Sequence, residues 1–107
     1  MKIEIGGKIF ELDYTVNAIC DLEEMTGKGL GDILGMVGLS SVRSLLWCGL
    51  AEHTPNLTMA EAGVLLQQYT ADHNMEELVA IITEAIEAAG FMKAQSSQKK
   101  KVVQRAK

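Results

Sequence analysis

The sequence predicts an α+β fold, mainly α, in which an N-terminal β-hairpin packs on four to five short helices. Three observations carry that expectation. Residues 1–12 alternate apolar and polar positions around Gly6-Gly7. Residues 14–89 carry apolar positions at helical spacing, punctuated by glycines and by one proline, Pro55. Residues 1–92 hold fourteen acidic and four basic residues, whereas residues 93–107 hold six basic residues and no acid, formal charges of −10 and +6. The charge divide suggests a folded domain at 1–92 and a flexible, disordered basic tail at 93–107, whose apolar content is too low to order it.

The hairpin comes first. Two glycines supply the positive φ angles that a two-residue turn needs. A two-residue loop pairs Ile5 with Lys8, Glu4 with Ile9, Ile3 with Phe10, Lys2 with Glu11 and Met1 with Leu12. One face then carries Met1, Ile3, Ile5, Phe10 and Leu12. A lone hairpin is barely stable in water, so that face must lie on helices or on another chain.

Asp13 is placed to cap the next helix, expected over Tyr14–Thr26 with Tyr14, Ala18, Ile19, Leu22 and Met25 on one face and Gly27 as its stop. Glycine-rich residues 27–41 accommodate a short helix near Asp32–Val37, ended by Gly38. A third helix starts at Ser40 or Ser41, carries the stripe Val42, Leu45, Leu46, Gly49 and Leu50, and ends before Pro55. Thr58 and Glu61 have capping-box spacing, with Leu57 and Ala62 suited to a weak hydrophobic staple. The stripe that follows is Met59, Ala62, Gly63, Leu66 and Tyr69 or Thr70. Asn74 and Glu77 repeat the cap signal ahead of Leu78, Val79, Ile82, Ala85, Ile86 and Ala89. Gly90 ends this helix, and Phe91 is expected to fold back on its last turn.

Composition bounds the function classes. No apolar run reaches the eighteen or so residues that a membrane span requires. The first residues read as a strand rather than as a basic stretch and an apolar block, so no export signal is expected. Cys20 and Cys48 are therefore expected to be buried free thiols in a cytosolic protein.

Candidate chemistry is sparse. His53 and His73 lack a Cys or carboxylate at helix-turn spacing, which leaves no metal site. Cys48 and His53 lie on different helical faces, so a nucleophilic pair would need a tertiary contact. Glu23-Glu24 and Glu76-Glu77 are adjacent pairs, and adjacent helical positions point about 100° apart, so neither pair converges on a substrate. Gly6-Gly7 and Gly27-Lys28-Gly29 lack the full spacing of a phosphate loop. The chain is thus expected to be no enzyme and to hold no cofactor, metal or catalytic residue. Trp47 falls beside its stripe, at the core edge or on an interaction surface.

Four stretches, taken in order, point to a family. They are Gly7-Lys8-Ile9-Phe10-Glu11-Leu12-Asp13-Tyr14, then Ala18-Ile19-Cys20-Asp21-Leu22-Glu23-Glu24-Met25-Thr26-Gly27, then Leu45-Leu46-Trp47-Cys48-Gly49-Leu50, then Pro55-Asn56-Leu57-Thr58 with Glu61. Together they resemble the tail assembly chaperones of long-tailed, siphovirus-type phages, and are similar to small tail-cluster proteins of gene transfer agents, over roughly residues 3–90 at the level of pattern. The resemblance implies a non-enzymatic protein that coats the tape-measure protein while the tail tube polymerises, acting in the bacterial host cytoplasm and absent from the mature virion. It implies tape-measure and tail tube proteins as partners, with self-association open and no membrane partner. It also implies two product lengths, the longer arising from a −1 ribosomal slip. Gln98, Lys99, Lys100 and Lys101 mark the expected slip point in the short form. The expected protein-interaction residues are Ile9, Leu46, Trp47 and Leu50. The competing expectation is a small nucleic-acid-binding or regulatory protein that uses the basic tail. It is disfavoured because the tail has no aromatic residue and the body is acidic.

Overall fold

A computed structural model describes residues 1–35 and 38–90. Two antiparallel strands, β1 (Lys2–Ile5) and β2 (Lys8–Glu11), precede five helices. These are α1 (Val16–Thr26), α2 (Leu30–Gly35), α3 (Leu39–Ala51), α4 (Met59–Asp72) and α5 (Met75–Ala88). The mainly helical α+β architecture expected from the sequence is present. Among the described residues, no helix is long and apolar enough to cross a membrane. The boundary at residue 92, the basic tail with Gln98–Lys101, and Phe91 lie outside the described residues.

The hairpin register follows from the turn. Gly6 and Gly7 both have positive φ, 58° and 84°, which keeps the loop to two residues. The pairs Lys2–Glu11, Ile3–Phe10, Glu4–Ile9 and Ile5–Lys8 form as expected, and the Leu12 N–H extends the ladder to the Met1 carbonyl at 2.7 Å. Ile3, Ile5 and Leu12 are buried, Phe10 is half-buried and Met1 is exposed. Burial of this face against the helices supplies what two strands lack on their own.

Helix α3 is the hub. It packs on α1, α4, α5 and β2, while β1 lies on α4. Val42, Leu45, Leu46, Cys48, Gly49 and Leu50 are all buried, which covers more of its circumference than a one-sided stripe would. Gly49 meets the chain leaving the hairpin. A Cβ there would lie 2.5 Å from Tyr14 Cζ and 2.6 Å from Leu12 Cδ1.

That approach corrects the expected start of α1. Thr15, in extended backbone, is the cap, and its hydroxyl accepts from the Ala18 N–H at 3.1 Å. Tyr14 is not on the helix: it precedes it and is buried, with its hydroxyl donating to the Leu45 carbonyl at 2.6 Å. Asp13 instead donates its backbone N–H to the Gly49 carbonyl at 2.9 Å. The helix starts two residues late because Tyr14 is held by α3 rather than by its own helix. Gly27 does end α1 in the left-handed region, φ 72°, with its N–H on the Glu23 carbonyl. Met25, expected on the inner face, is exposed.

Helix α2 is also shifted. It begins at Leu30, because Leu30 and Ile33 are the residues that reach the core. The Leu30 N–H is satisfied by the Glu23 carboxylate at 2.7 Å. Gly38 does not close α2 but stands, extended, as the cap of α3, which starts at Leu39. The expected end at Val37 lies outside the described residues.

Both capping boxes form. Thr58 and Glu61 exchange bonds at 3.1 and 2.9 Å, and Asn74 and Glu77 exchange them at 2.8 and 2.8 Å. Each satisfies two backbone donors that a helix start otherwise leaves open. Ala62, Leu66 and Tyr69 face inward from α4, and Leu78, Ile82, Ala85 and Ile86 from α5. Ala89, expected on that face, is exposed.

Two stability outcomes follow from this packing. Gly49→Ala should destabilise the protein by about 1–3 kcal/mol, because neither a buried ring nor a core leucine can give way without displacing the hairpin. Gly31→Ala, in α2 with open space around it, should be neutral or stabilising by up to about 1 kcal/mol. Urea unfolding of the two variants side by side checks both. Thr58→Ala and Asn74→Ala should each cost about 1 kcal/mol, adding nearly independently in the double variant.

Candidate functional site

Among the described residues no group of three or more His, Cys, Asp or Glu side chains could hold a metal ion. The sequence candidates for chemistry have structural partners. His53 Nε2 lies 3.1 Å from Asp13 Oδ2, with both side chains about half exposed. His73 stacks on Tyr69 at 4.5 Å between ring centroids and lies 3.8 Å from Glu77. The Cys48 thiol donates to the Ala18 carbonyl at 3.3 Å, while His53 is engaged with Asp13, so the two are not brought together as a nucleophilic pair. Glu23 and Glu77 serve as backbone caps.

Burial sets the thiol chemistry. Cys48 is pushed up to about 12, chiefly by desolvation, with the charges of Asp21 and Glu52 adding to it. Burial likewise pushes the Tyr14 phenol well above its ordinary value, with a smaller contribution from Cys48. Cys20, expected to be buried, is exposed: Ile19 and Leu22 face the core from α1, and the position after Ile19 points about 100° away from it.

Two surface grooves carry apolar walls. One, of about 490 Å³, lies between β2, the α3–α4 loop and α4. Phe10, Pro55, Leu57, Val64 and Leu65 supply its apolar wall, and Glu61 stands at its edge. Val64 is 55% exposed, whereas Phe10, Leu57 and Leu65 are half-buried. Asn56 turns the loop in the left-handed region at φ 71°, a conformation asparagine tolerates better than most residues. The Trp47 indole N–H donates to the Leu57 carbonyl at 2.9 Å, tying this loop to α3.

The expected interaction residues divide. Leu46 and Leu50 are both 0% exposed. They are corrected to core residues, because α1, α4, α5 and β2 cover that part of α3. Ile9 is 63% exposed, on the hairpin face opposite Phe10. Trp47 is half-buried at the core edge, and its indole N–H holds the Leu57 carbonyl. Phe10, Val64 and Leu65 were missed as wall residues. A signal was present for the last two: they are apolar yet lie off the inward stripe of α4.

A second groove, of about 420 Å³, runs between α3 and α4 and contains Arg43.

Comparison with known proteins returned no match from family models, curated proteins or solved structures.

Thiol accessibility checks the assignment of the two cysteines. A disulfide reagent at pH 8 should modify one thiol per folded chain and two after unfolding in urea. Stability has a matching pH dependence. The folded state keeps protons on Cys48 and Tyr14 that the unfolded chain gives up from about pH 9. Their contribution is therefore complete below pH 9 and is lost as pH rises from 9 toward 12. The urea midpoint should fall across that window.

Proposed function

We propose that this chain is a tail assembly chaperone of the type used by long-tailed phages. It is a non-enzymatic binding protein that covers apolar helical stripes of the tape-measure protein while the tail tube polymerises. The observation that carries the reading is the groove of Phe10, Leu57, Val64 and Leu65. It is built partly from the residues on which the resemblance rests, namely Phe10, Pro55, Leu57 and Glu61. An apolar trough beside a helix suits the apolar face of a partner helix, the helix-in-groove mode of recognition. Phe10, Leu57 and Leu65 pack against the core from one side and leave the other side open beside the exposed Val64, and accessible apolar surface of this kind is a common mark of an interaction site. Many weak copies along one extended helix would hold by avidity rather than by strong single contacts. On this reading the protein works in the host cytoplasm and leaves before the virion is complete. Its partners are the tape-measure and tail tube proteins.

Co-expression with the tape-measure protein of the same tail cluster tests the proposal. The tape-measure protein should be soluble with the wild-type chain and insoluble without it. Val64→Glu should abolish the solubilisation while leaving the fold intact, since the side chain is exposed. Replacing Lys99, Lys100 and Lys101 with glutamine should leave it unchanged, whereas a nucleic-acid-binding protein working through its tail would lose salt-dependent binding. Equal tape-measure solubility with and without the chain would overturn the proposal. An intact-mass spectrum of everything translated from the native gene with its downstream DNA is expected to show a minor longer product diverging near Gln98–Lys101.

A further inference from the structure

The second groove holds an electrostatic anomaly. Arg43 is the one arginine among the described residues and is partly buried on α3. All fourteen acidic residues lie within the described residues. Ion pairs form there at Glu11, Asp13 and Glu77, and none of these involves Arg43. Its Nε is buried and has no hydrogen-bond partner. A buried donor without an acceptor is unfavourable, more so on a charged group, and native proteins rarely leave one open.

The surroundings indicate what would complete it. Leu39 and Leu66 form an apolar wall, with Leu39 65% exposed and Leu66 buried. Gly63 opens the α4 side of the groove: a Cβ there would lie 3.3 Å from Arg43 Cδ, so the arginine stem rests against bare backbone. Gln67 and Thr70 continue the same side of α4.

We propose that the groove between α3 and α4 is a docking site for an apolar helix of a partner protein, one that bears a single carboxylate to pair with Arg43. Charge complementarity selects the carboxylate, since guanidinium and carboxylate match in a two-pronged hydrogen-bonded geometry. The body charge of −10 disfavours a partner segment with several acids, so the rest of that helix is neutral or basic. The exposed Leu39 selects a helix over a small free acid, because only an extended apolar surface covers the rim and the guanidinium together. The inference stands on Arg43 and its groove alone, and it survives a failure of the chaperone reading.

The chain has two arginines, Arg43 and Arg105, so the side-chain Nε–H spectrum of the full-length protein carries its own reference. Three probes are titrated: an end-blocked Ala/Leu/Gln helical peptide of about sixteen residues with one central Glu, its Glu→Gln twin, and octanoate. The Glu peptide should shift the Arg43 signal saturably, roughly tenfold more tightly than its twin, and leave Arg105 in place. Octanoate should bind more weakly than the Glu peptide. Arg43→Met should erase the difference between the twins while keeping or raising the thermal midpoint, because a partly buried arginine with an unsatisfied Nε gives way to an apolar chain of similar length. Twins that bind equally or not at all would overturn the site. Tighter binding of octanoate than of the Glu peptide would overturn the helical occupant in favour of a small acid. A fall in the thermal midpoint of Arg43→Met would make the arginine structural. Should that variant not fold, the wild-type comparison of the twin peptides decides alone.

Discussion

The fit of Leu12 and Tyr14 against Gly49 is the contact on which the rest of the structure depends. A two-stranded hairpin cannot hold itself together in water, so its placement must come from outside. Three residues of linker accomplish it. Leu12 and Tyr14 close on the one position of α3 that has no side chain, the Asp13 N–H reaches the Gly49 carbonyl, and the Tyr14 hydroxyl reaches the Leu45 carbonyl one turn earlier. Apolar packing and two hydrogen bonds from adjacent residues thus fix the hairpin in position and in rotation. Its rotation decides that Phe10 faces the α3–α4 loop and that Ile9 faces solvent.

The same contact explains what the sequence could and could not disclose. Signals that are local in the chain were legible. The Gly6-Gly7 turn sets the register of four strand pairs, and each capping box is closed by residues three positions apart. Signals that are settled by tertiary packing were not. Asp13 is a good cap by residue type, yet the cap falls to Thr15, because the ring of Tyr14 is wanted by α3 before the helix can begin. The start of α2 is likewise drawn to Leu30 and Ile33 by their burial, across glycines that favour no particular boundary.

The candidate site was half legible for a related reason. A stripe such as Val42, Leu45, Leu46, Gly49 and Leu50 announces that a helix has an apolar face, but not how many neighbours will cover it. On a peripheral helix the edges of such a stripe stay accessible. On a hub they do not, and α3 is met by α1, α4, α5 and β2. Leu46 and Leu50 therefore vanish into the core. On α4, which has neighbours on only part of its girth, Val64 stays exposed. The off-stripe positions Val64 and Leu65 of this helix are the ones that reach the groove wall, Val64 exposed and Leu65 packed against the core edge.

Helix α4 consequently presents three distinct sides. Ala62, Leu66 and Tyr69 are buried, Val64 and Leu65 flank the hairpin groove, and Gly63, Gln67 and Thr70 flank the Arg43 groove. The two grooves differ in electrostatic character. In the first, the charged group is Glu61, and one of its carboxylate oxygens already accepts the Thr58 N–H of the capping box. Its wall is otherwise mostly apolar, so apolar area and shape dominate there. In the second, the charged group is a guanidinium with a buried donor left open, so discrimination there rests on one complementary charge. Apolar contact tolerates many helices of similar size. A buried donor does not tolerate a partner that leaves it unpaired. A segment that filled both grooves would be held by the first and chosen by the second.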